Sequence, residues 1–433
     1  MNTKTIPPFA NLPDWLRWQE QLHPNAIDMG LERVHRVLER MQPAKPAFHV
    51  LTVGGTNGKG SCVTFLEAML RAQGYKVGAY TSPHLLRYNE RVRVEGVEAG
   101  DQEFCDAFAK IDAARGDISL TYFEFGTLAA FEIFNRHQIE IAVLEVGMGG
   151  RLDAVNVLEP DAALVVSVGL DHQEWLGNDR DSIGYEKAGI YRSGRPAICG
   201  DREPPARLLE TARQRGAHLR RLGTDFDWTA TASGWRWYSG ETALDNLPPP
   251  SLPGRIQFDN ASSAIAVLQA LPVLEVSVDA IRAGLISADL PARFQRVSGP
   301  VEMVFDVAHN PDAARVLAAN LVANPVSGRT VAVIGMFRDK AVEAVTPILA
   351  PQIDEWFVGA LEGPRGQTAA GFAARVRSVV PDAVLNEYAD VGAACDAADA
   401  RTSAGDRIVV CGSFQTVSVV LQQRQTKPAN ITG

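Results

Sequence analysis

Residues 54–61 read Gly54-Gly55-Thr56-Asn57-Gly58-Lys59-Gly60-Ser61. Glycines in such a run let successive backbone N–H groups converge on phosphate oxygens, and a helix starting after them adds the positive end of its dipole. Lys59 can reach the outer phosphates, and the Ser61 hydroxyl can meet Mg2+. The spacing departs from the usual phosphate loop. Three residues separate Gly54 from the Gly58-Lys59 pair, and Gly60 precedes the hydroxyl residue. A glycine-rich turn between a strand and a helix is the plainer alternative.

Further along the chain, Ser82, Glu145 and His172 each follow or close an apolar run. Singly, each has an ordinary explanation. A serine before proline is a common turn residue, an acid ending a buried strand needs a partner, and a loop histidine can simply be hydrogen-bonded. Facing a phosphate loop together, a hydroxyl, a carboxylate and an imidazole make a set for Mg2+, although an imidazole is an unusual ligand for that ion. The stretch 306–311 (DVAHNP) sets Asp306 and His309 at a second strand tip, with a proline opening the next helix. A capping turn is the alternative there. Arg293 stands in a connection between two α/β series, where an arginine can bring charge to a phosphate on closure. No GxSxG elbow, HExxH helix or Cys-His nucleophile pattern occurs. These parts imply Mg2+-assisted phosphoryl transfer rather than hydrolysis by a side-chain nucleophile.

The elements that must position these residues follow from periodicity. Residues 48–53 (FHVLTV) form a short β-branched run, and 63–71 (VTFLEAMLR) continue as a helix. Helices are expected at 11–22, 27–41, 101–115 and 128–137. Leu31, Val34, Leu38 and Met41 share a stripe of the second, which Pro43 and Pro46 end. Strands are expected at 76–80, 139–146, 162–168 and 195–199, with a polar loop at 87–91 and the segment TYFEFGT (121–127) ahead of the helix at 128–137. Alternation of this kind predicts a parallel sheet with helices on both faces and ligands at the strand C-termini. Gly54 to Ser61, Ser82, Glu145 and His172 then share one rim. Residues 225–252 carry Trp228, Trp235, Trp237 and Tyr238 among Thr, Ser and Gly, a small β-hairpin insertion. Helices at 260–271 and 278–285 follow. A boundary is expected at 290–297, after which strands at 302–307, 330–334, 355–358, 383–385 and 407–411 and helices including 311–321 and 371–379 make a second, smaller doubly wound domain. The tail, 422–433, reads as polar and loose.

The 433-residue length suits two or three domains. A net charge of −9 without a clustered basic face argues against a nucleic-acid partner. No apolar run is long enough for a membrane span and no secretory signal opens the chain, so the cytoplasm is expected. The five cysteines, Cys62, Cys105, Cys199, Cys395 and Cys411, have no zinc spacing and read as free thiols.

The motifs GGTNGKGS (54–61), TSPHL (81–85), TYFEFGT (121–127), LEVGMGGRLDAVN (144–156), DHQEWLG (171–177), EKAGI (186–190), ARFQ (292–295), DVAHNP (306–311) and GSF (412–414) occur in one order. Through them the chain resembles the folylpolyglutamate synthase and dihydrofolate synthase family, within the ATP-dependent amide ligases that include the muramyl-peptide ligases. The resemblance implies a large N-terminal P-loop-type doubly wound domain over 1–291. It implies a smaller C-terminal Rossmann-like α/β domain over 297–433, closing over ATP and glutamate, in a monomer. The shortened phosphate loop is that group's own spacing.

The chemistry so implied is ligation of L-glutamate to dihydropteroate, giving dihydrofolate, and to tetrahydrofolate derivatives, giving polyglutamates. A substrate carboxylate takes the γ-phosphate of ATP, and the glutamate amine displaces phosphate from the acyl phosphate. By the same resemblance Gly55, Thr56, Asn57, Gly58, Lys59, Gly60 and Ser61 hold the ATP phosphates. Ser82, Glu145 and His172 hold Mg2+, with two ions expected. Asn260, Arg293 and Asp306 contact nucleotide, and His309 and Ser413 belong to the glutamate side or to closure. Lys59, Lys187, His172, Arg293 and His309 are the catalytic set. Lys187 matches a lysine that is carbamylated in the family. An ammonium about 4 Å from a unit positive charge is repelled by about 4 kcal/mol at an effective dielectric near 20, and a carbamate reverses that sign. Three segments match the pterin-binding ones of enzymes with both activities: Asp28, Met29, Gly30 and Leu31; Thr121, Tyr122, Phe123 and Glu124; Leu152, Asp153 and Ala154. The sequence IQFDN before Ala261 departs from relatives that carry a histidine upstream of Asn260. Alternatives are a folylpolyglutamate synthase alone, a muramyl-peptide-type ligase, which the lack of an extra N-terminal uridine-nucleotide domain disfavours, and a P-loop nucleotide-binding switch protein.

Overall fold

The computed structural model describes residues 9–41 and 46–426. Two compact units divide the chain: residues 1–251 with 258–288, and residues 252–257 with 289–433.

In the first unit, eight strands form one sheet. They are β1 (His49–Gly54), β2 (Val77–Tyr80), β3 (Val92–Val94), β4 (Val97–Glu98), β5 (Ile141–Glu145), β6 (Ala162–Val165), β7 (Pro196–Cys199) and β8 (His218–Arg221). Their order is β4-β3-β2-β5-β1-β6-β7-β8. All neighbours from β2 to β8 in that order run parallel, so their C-terminal ends share one edge. Register fixes what meets there. Val53 lies opposite Glu145, Tyr80 opposite Leu144 and Gly54 opposite Val165. The central strands are apolar because both faces are covered. Helices Leu12–Leu22, Glu32–Met41, Asp101–Arg115 and Tyr122–His137 enclose a core with Trp15, Phe108 and Phe125 on one side. A second core gathers Ile183, Tyr191 and Leu208 beneath helices Arg180–Ala188 and Ala206–Gln214. A three-stranded antiparallel sheet, β9 (Asp227–Thr231), β10 (Gly234–Ser239) and β11 (Thr242–Leu247), accounts for the Trp-rich insertion.

In the second unit, β12 (Gln295–Val297), β13 (Glu302–Phe305), β14 (Thr330–Ile334), β15 (Glu355–Gly359), β16 (Leu385–Tyr388) and β17 (Arg407–Cys411) make a six-stranded sheet. Its order is β12-β13-β17-β14-β15-β16, with only β12 antiparallel. Trp356, Phe372 and Leu317 lie in its core. No helix among the described residues is long and apolar enough to cross a membrane.

Several boundaries differ from the sequence reading. The second helix covers only Glu32–Met41, because Asp28 and its backbone carbonyl are bound by Arg33 in a non-helical turn. Pro43, read as its terminator, lies outside the described residues. The helix read from 128 starts six residues earlier, at Tyr122, capped by Thr121. Part of the polar loop at 87–91 is a 3-10 helix, Tyr88–Arg91, leading into a β3–β4 hairpin. The helix read from 260 starts four residues earlier, at Ile256. Residues 422–426 end the helix Phe414–Thr426 instead of forming a loose tail, and 427–433 lie outside the described residues.

Candidate active site

The phosphate loop is held in shape by the neighbouring strand end. Thr56 donates its amide to the Ser167 carbonyl at 2.8 Å, and its hydroxyl exchanges hydrogen bonds with the Gly169 amide and carbonyl at 2.9 and 3.2 Å. Ser167 Oγ accepts from the Asn57 amide and donates to the Asn57 carbonyl, both at 3.0 Å. Gly58 caps the helix Lys59–Gln73 in the left-handed region, φ +85°, with no side-chain bond to the first turn. An uncapped helix start with converging amides suits an anion. Lys59 occupies the first helical position and folds its Nζ onto the carbonyls of Gly55 and Thr56, at 3.0 and 3.2 Å. Ser61 is buried in the same turn.

Asn260 also meets the loop. A Cβ placed on Gly58 would lie 2.7 Å from Asn260 Oδ1 and 2.8 Å from Val166 Cγ1. The Cys62 thiol points at the Asn260 carbonyl at 3.5 Å. Burial, and secondarily Glu145, push that thiol far above its ordinary pKa, so Cys62 packs and does not react.

At the next strand end, the Ser82 amide donates to Glu145 Oε2 at 3.3 Å. This contact follows from register, since β2 and β5 end side by side. His172 sits at φ +52° after β6, on the segment whose Gly169 is bound to Thr56. Among the described residues no group of three or more His, Cys, Asp and Glu side chains forms a complete metal cage. One carboxylate, one hydroxyl and one imidazole beside a phosphate loop fit a divalent ion that keeps waters and phosphate oxygens as further ligands.

Lys187 ends the helix Arg180–Ala188 with only 4% of its surface exposed. Burial first, and then the Lys59 ammonium, lower its pKa to about 7, against the pull of Asp171 and Asp153. Asp153 is raised to about 6 by burial, opposed by its amide donors and by Lys59. The Met148 amide donates to its Oδ2 at 2.9 Å and the Val155 amide to its Oδ1 at 3.0 Å. Two lysines and two aspartates therefore share one field. Asp171 was not singled out from the sequence, although it stands directly before His172.

The three segments read as pterin-binding converge on the loop 147–153. A Cβ on Gly147 would lie 2.6 Å from Phe123 Cζ and 3.2 Å from Asp153 Oδ2, and one on Gly149 would lie 2.9 Å from Leu176 Cδ2 and 3.4 Å from Met29 Cε. Thr121 and Glu124 close a capping box, Glu124 Oε2 accepting the Thr121 amide at 2.7 Å. The Tyr122 ring lies edge-on to Tyr88 at 5.6 Å. Leu31 packs on the core, and Ala154 opens a 3-10 turn capped by Asp153. His84 was not expected here. It accepts from Arg91 Nε at 2.9 Å and is lowered to about 4 by burial and Arg91.

In the second unit, Asp306 is half-buried just after β13 and accepts the amides of Phe294, at 2.9 Å, and Ala308, at 2.8 Å. Burial raises its pKa and the nearby Arg293 opposes this. The Arg293 guanidinium lies 5.6 Å from the Phe414 ring centre, and the His309 ring 6.4 Å from it. Ser413 accepts the Thr416 amide at 3.0 Å, starting the helix Phe414–Thr426. Asp306, Arg293, His309 and Ser413 thus gather at one end of this unit's sheet.

Residues 53–268 match the Mur ligase middle domain, and residues 292–414 match the glutamate ligase domain of Mur ligases. The Escherichia coli dihydrofolate synthase/folylpolyglutamate synthase is 47% identical over 423 residues, covering 98% of each chain. The Haemophilus influenzae protein of that name is 36% identical, covering 96% of this chain and 98% of its own. A solved structure of E. coli FolC in complex with DHPP and ADP superposes with a TM-score of 0.91 at 47% identity, covering 96% of this chain and 98% of that one. A bifunctional folylpolyglutamate synthase/dihydrofolate synthase with Mn, AMPPNP and L-glutamate bound gives 0.89 at 44% identity, covering 98% and 100%.

Proposed function

Since the chain belongs to the dihydrofolate synthase/folylpolyglutamate synthase family, built on Mur ligase domains, we propose that it ligates L-glutamate to dihydropteroate and to reduced folates at the expense of ATP. The observation that carries this is the single rim of the first unit. There an uncapped phosphate loop, Asn260, the Ser82–Glu145 pair and a lysine with a pKa near 7 lie beside the glycine loop that Phe123, Met29 and Asp153 border. Bound relatives add ADP, AMPPNP, Mn, DHPP and L-glutamate to the ligands such a site takes.

In this reading the amides of Gly55 to Ser61 and the Lys59 ammonium neutralise the β- and γ-phosphates, and Asn260 holds the nucleotide from the adjoining helix. Ser82, Glu145 and His172 hold divalent cations, two Mg2+ in the working enzyme. A bound cation draws charge from the transferring phosphoryl group. A carboxylate oxygen of the pteroate attacks the γ-phosphorus and ADP leaves. The glutamate amine then attacks the acyl carbon, losing a proton, and inorganic phosphate departs. Positioning and charge neutralisation supply most of the rate in such transfers. Lys187 acts as its carbamate, an anion where its ammonium would face Lys59. Arg293, Asp306, His309 and Ser413 serve nucleotide and glutamate. The enzyme works as a monomer, and in the cytoplasm, where its five buried cysteines stay as free thiols.

The test offers dihydropteroate and tetrahydrofolate separately with MgATP and L-glutamate, following ADP release and product mass. Both acceptors are expected to gain one glutamate residue per ADP formed. Gain on tetrahydrofolate alone identifies a folylpolyglutamate synthase, and ATP hydrolysis that ignores both acceptors rejects the ligase.

A further inference from the structure

Arg33 opens the helix Glu32–Met41 and belongs to none of the segments assigned above. Its guanidinium reaches both walls of the pterin end. Nη1 donates to Asp28 Oδ2 at 2.9 Å, while Nη2 donates to the Asp28 carbonyl at 2.7 Å and to Glu124 Oε1 at 3.0 Å. Asp28 heads the segment 28–31, and Glu124 closes the segment 121–124. These pieces are far apart in the chain, and this one side chain joins them.

The partners explain why the join is firm. Glu124 is almost wholly buried, and its other oxygen is committed to the Thr121 amide at 2.7 Å. A buried carboxylate without a counter-charge is costly, so Arg33 and Glu124 hold each other. Asp28 is also approached by His23 Nε2 at 3.4 Å. Binding a carboxylate and a carbonyl on one side and a second carboxylate on the other uses the planar fork of arginine, which a lysine ammonium lacks. The same bonds keep residues 28–31 out of the helix that follows, and Met29 in that turn reaches Gly149.

We infer that Arg33 is a positioning residue for the pterin ring. It sets the 28–31 segment against the 121–124 helix start, and so fixes the width of the slot without touching the phosphates. The inference rests on the function proposed above.

Full-length wild-type chain is assayed first with dihydropteroate, MgATP and L-glutamate. Failure to use any pterin-bearing acceptor rejects the proposed function and this inference with it. Given wild-type turnover, Arg33→Met is expected to raise the KM for dihydropteroate at least about tenfold, with kcat and the KM values for ATP and glutamate within about twofold. Arg33→Lys, which keeps the charge and loses the fork, is expected to raise the same KM about threefold or more. An unchanged dihydropteroate KM, or a fall in kcat and ATP affinity in step with it, overturns the inference. If Arg33→Met does not fold, Arg33→Lys, Glu124→Gln and their double variant decide. Their effects on the dihydropteroate KM are expected to be non-additive, and additivity to within about twofold overturns the proposal.

Discussion

Lys187 carries a charge question that pH can answer. Its folded pKa, about 7, lies below the ordinary lysine value of 10.5. Below about 7 the folded and unfolded chains both hold the proton, and no slope arises. Between about 7 and 10.5 the unfolded chain holds a proton that the folded one has released, so stability rises with pH. In CO2-free buffer, the unfolding free energy of wild type relative to Lys187→Met is therefore expected to increase from pH 7 to pH 9. A constant difference would mean that the amine is not buried as described. Restoring bicarbonate should raise the turnover of stripped wild type, more strongly at pH 8 than at pH 6.5, since the neutral amine is the form that captures CO2. Gly58 poses a steric question. At φ +85° a side chain is strained, and its Cβ would meet Asn260 Oδ1 at 2.7 Å. Gly58→Ala is expected to lose roughly 1–3 kcal/mol of stability and most of its ATP affinity, read by thermal unfolding and by the KM for ATP. The loop itself was legible from residue types, because phosphate chemistry demands glycines and a lysine at nearly fixed spacing. Asn260 was reached only through the resemblance, and its place against Gly58 follows from packing that no local pattern encodes. Asp171 opens the motif DHQEWLG without its charge role being visible there, and Arg33 lies in no motif. Their importance lies in which distant carboxylates, amines and backbone groups the fold brings to them.

Elements with a strong internal period lie where the sequence places them. Asp101–Arg115, Thr330–Ile334 and Arg407–Cys411 match the sequence expectation residue for residue. Elements whose ends are set by short local signals begin elsewhere. Thr121 and Glu124 spell a capping box three residues apart, a helix-start signature that precedes an apolar run. The aromatic residues and Gly126 after it masked the helix. The β3–β4 hairpin turns through Glu95 and Gly96 at φ +52° and +77°, a two-residue turn that only its alternating valines announced. The Trp-rich sheet was legible as strands, but its purpose was not. Trp228 stacks on Phe258 with ring centres 4.7 Å apart, and its Nε1 donates to Asp259 Oδ1 at 2.7 Å. Arg202, beyond β7, bonds both Asp227 of β9, at 2.9 Å, and Asp259, at 2.7 Å. Asp259 directly precedes Asn260, so strand, loop and sheet together fix the helix turn that faces Gly58. Arg202→Ala is expected to weaken nucleotide binding roughly tenfold, about 1.4 kcal/mol, while the KM for glutamate stays unchanged. Isothermal titration with ADP and steady-state assays check this. An ADP affinity equal to wild type would show that the helix is held by its buried face alone.

For the molecule as a whole, each unit has a sheet and a core of its own, and each is large enough to unfold cooperatively. The sequence had indicated two α/β series from the restart of strands after 297. It could not indicate that 252–257 would join the later series, because that assignment depends on packing. One instance is the close approach of Gly254 to Asn320, whose Oδ1 would lie 2.7 Å from a Cβ there. The distribution of tryptophan makes the division measurable. Trp15, Trp18, Trp175, Trp228, Trp235 and Trp237 belong to the first unit, and Trp356 alone to the second. Intrinsic fluorescence therefore follows mainly the first unit, whereas far-ultraviolet circular dichroism follows the helices of both. If the units unfold separately, the two urea transitions do not coincide, and Trp356→Phe leaves the fluorescence midpoint where it was. A ligand at 100 times its Kd stabilises the state that binds it by about 2.7 kcal/mol. The uncapped helix and the Ser82–Glu145 pair both lie in the first unit, so MgADP at that concentration is expected to move the fluorescence transition to higher urea. Arg293 and Asp306 bear on the second unit. If they contact nucleotide, a fluorophore attached there reports an upward shift as well, and Arg293→Ala abolishes that shift while leaving the first transition's gain largely intact. Coincident transitions that move together would instead mean that the chain unfolds as one cooperative body, with nucleotide bound only by the intact whole.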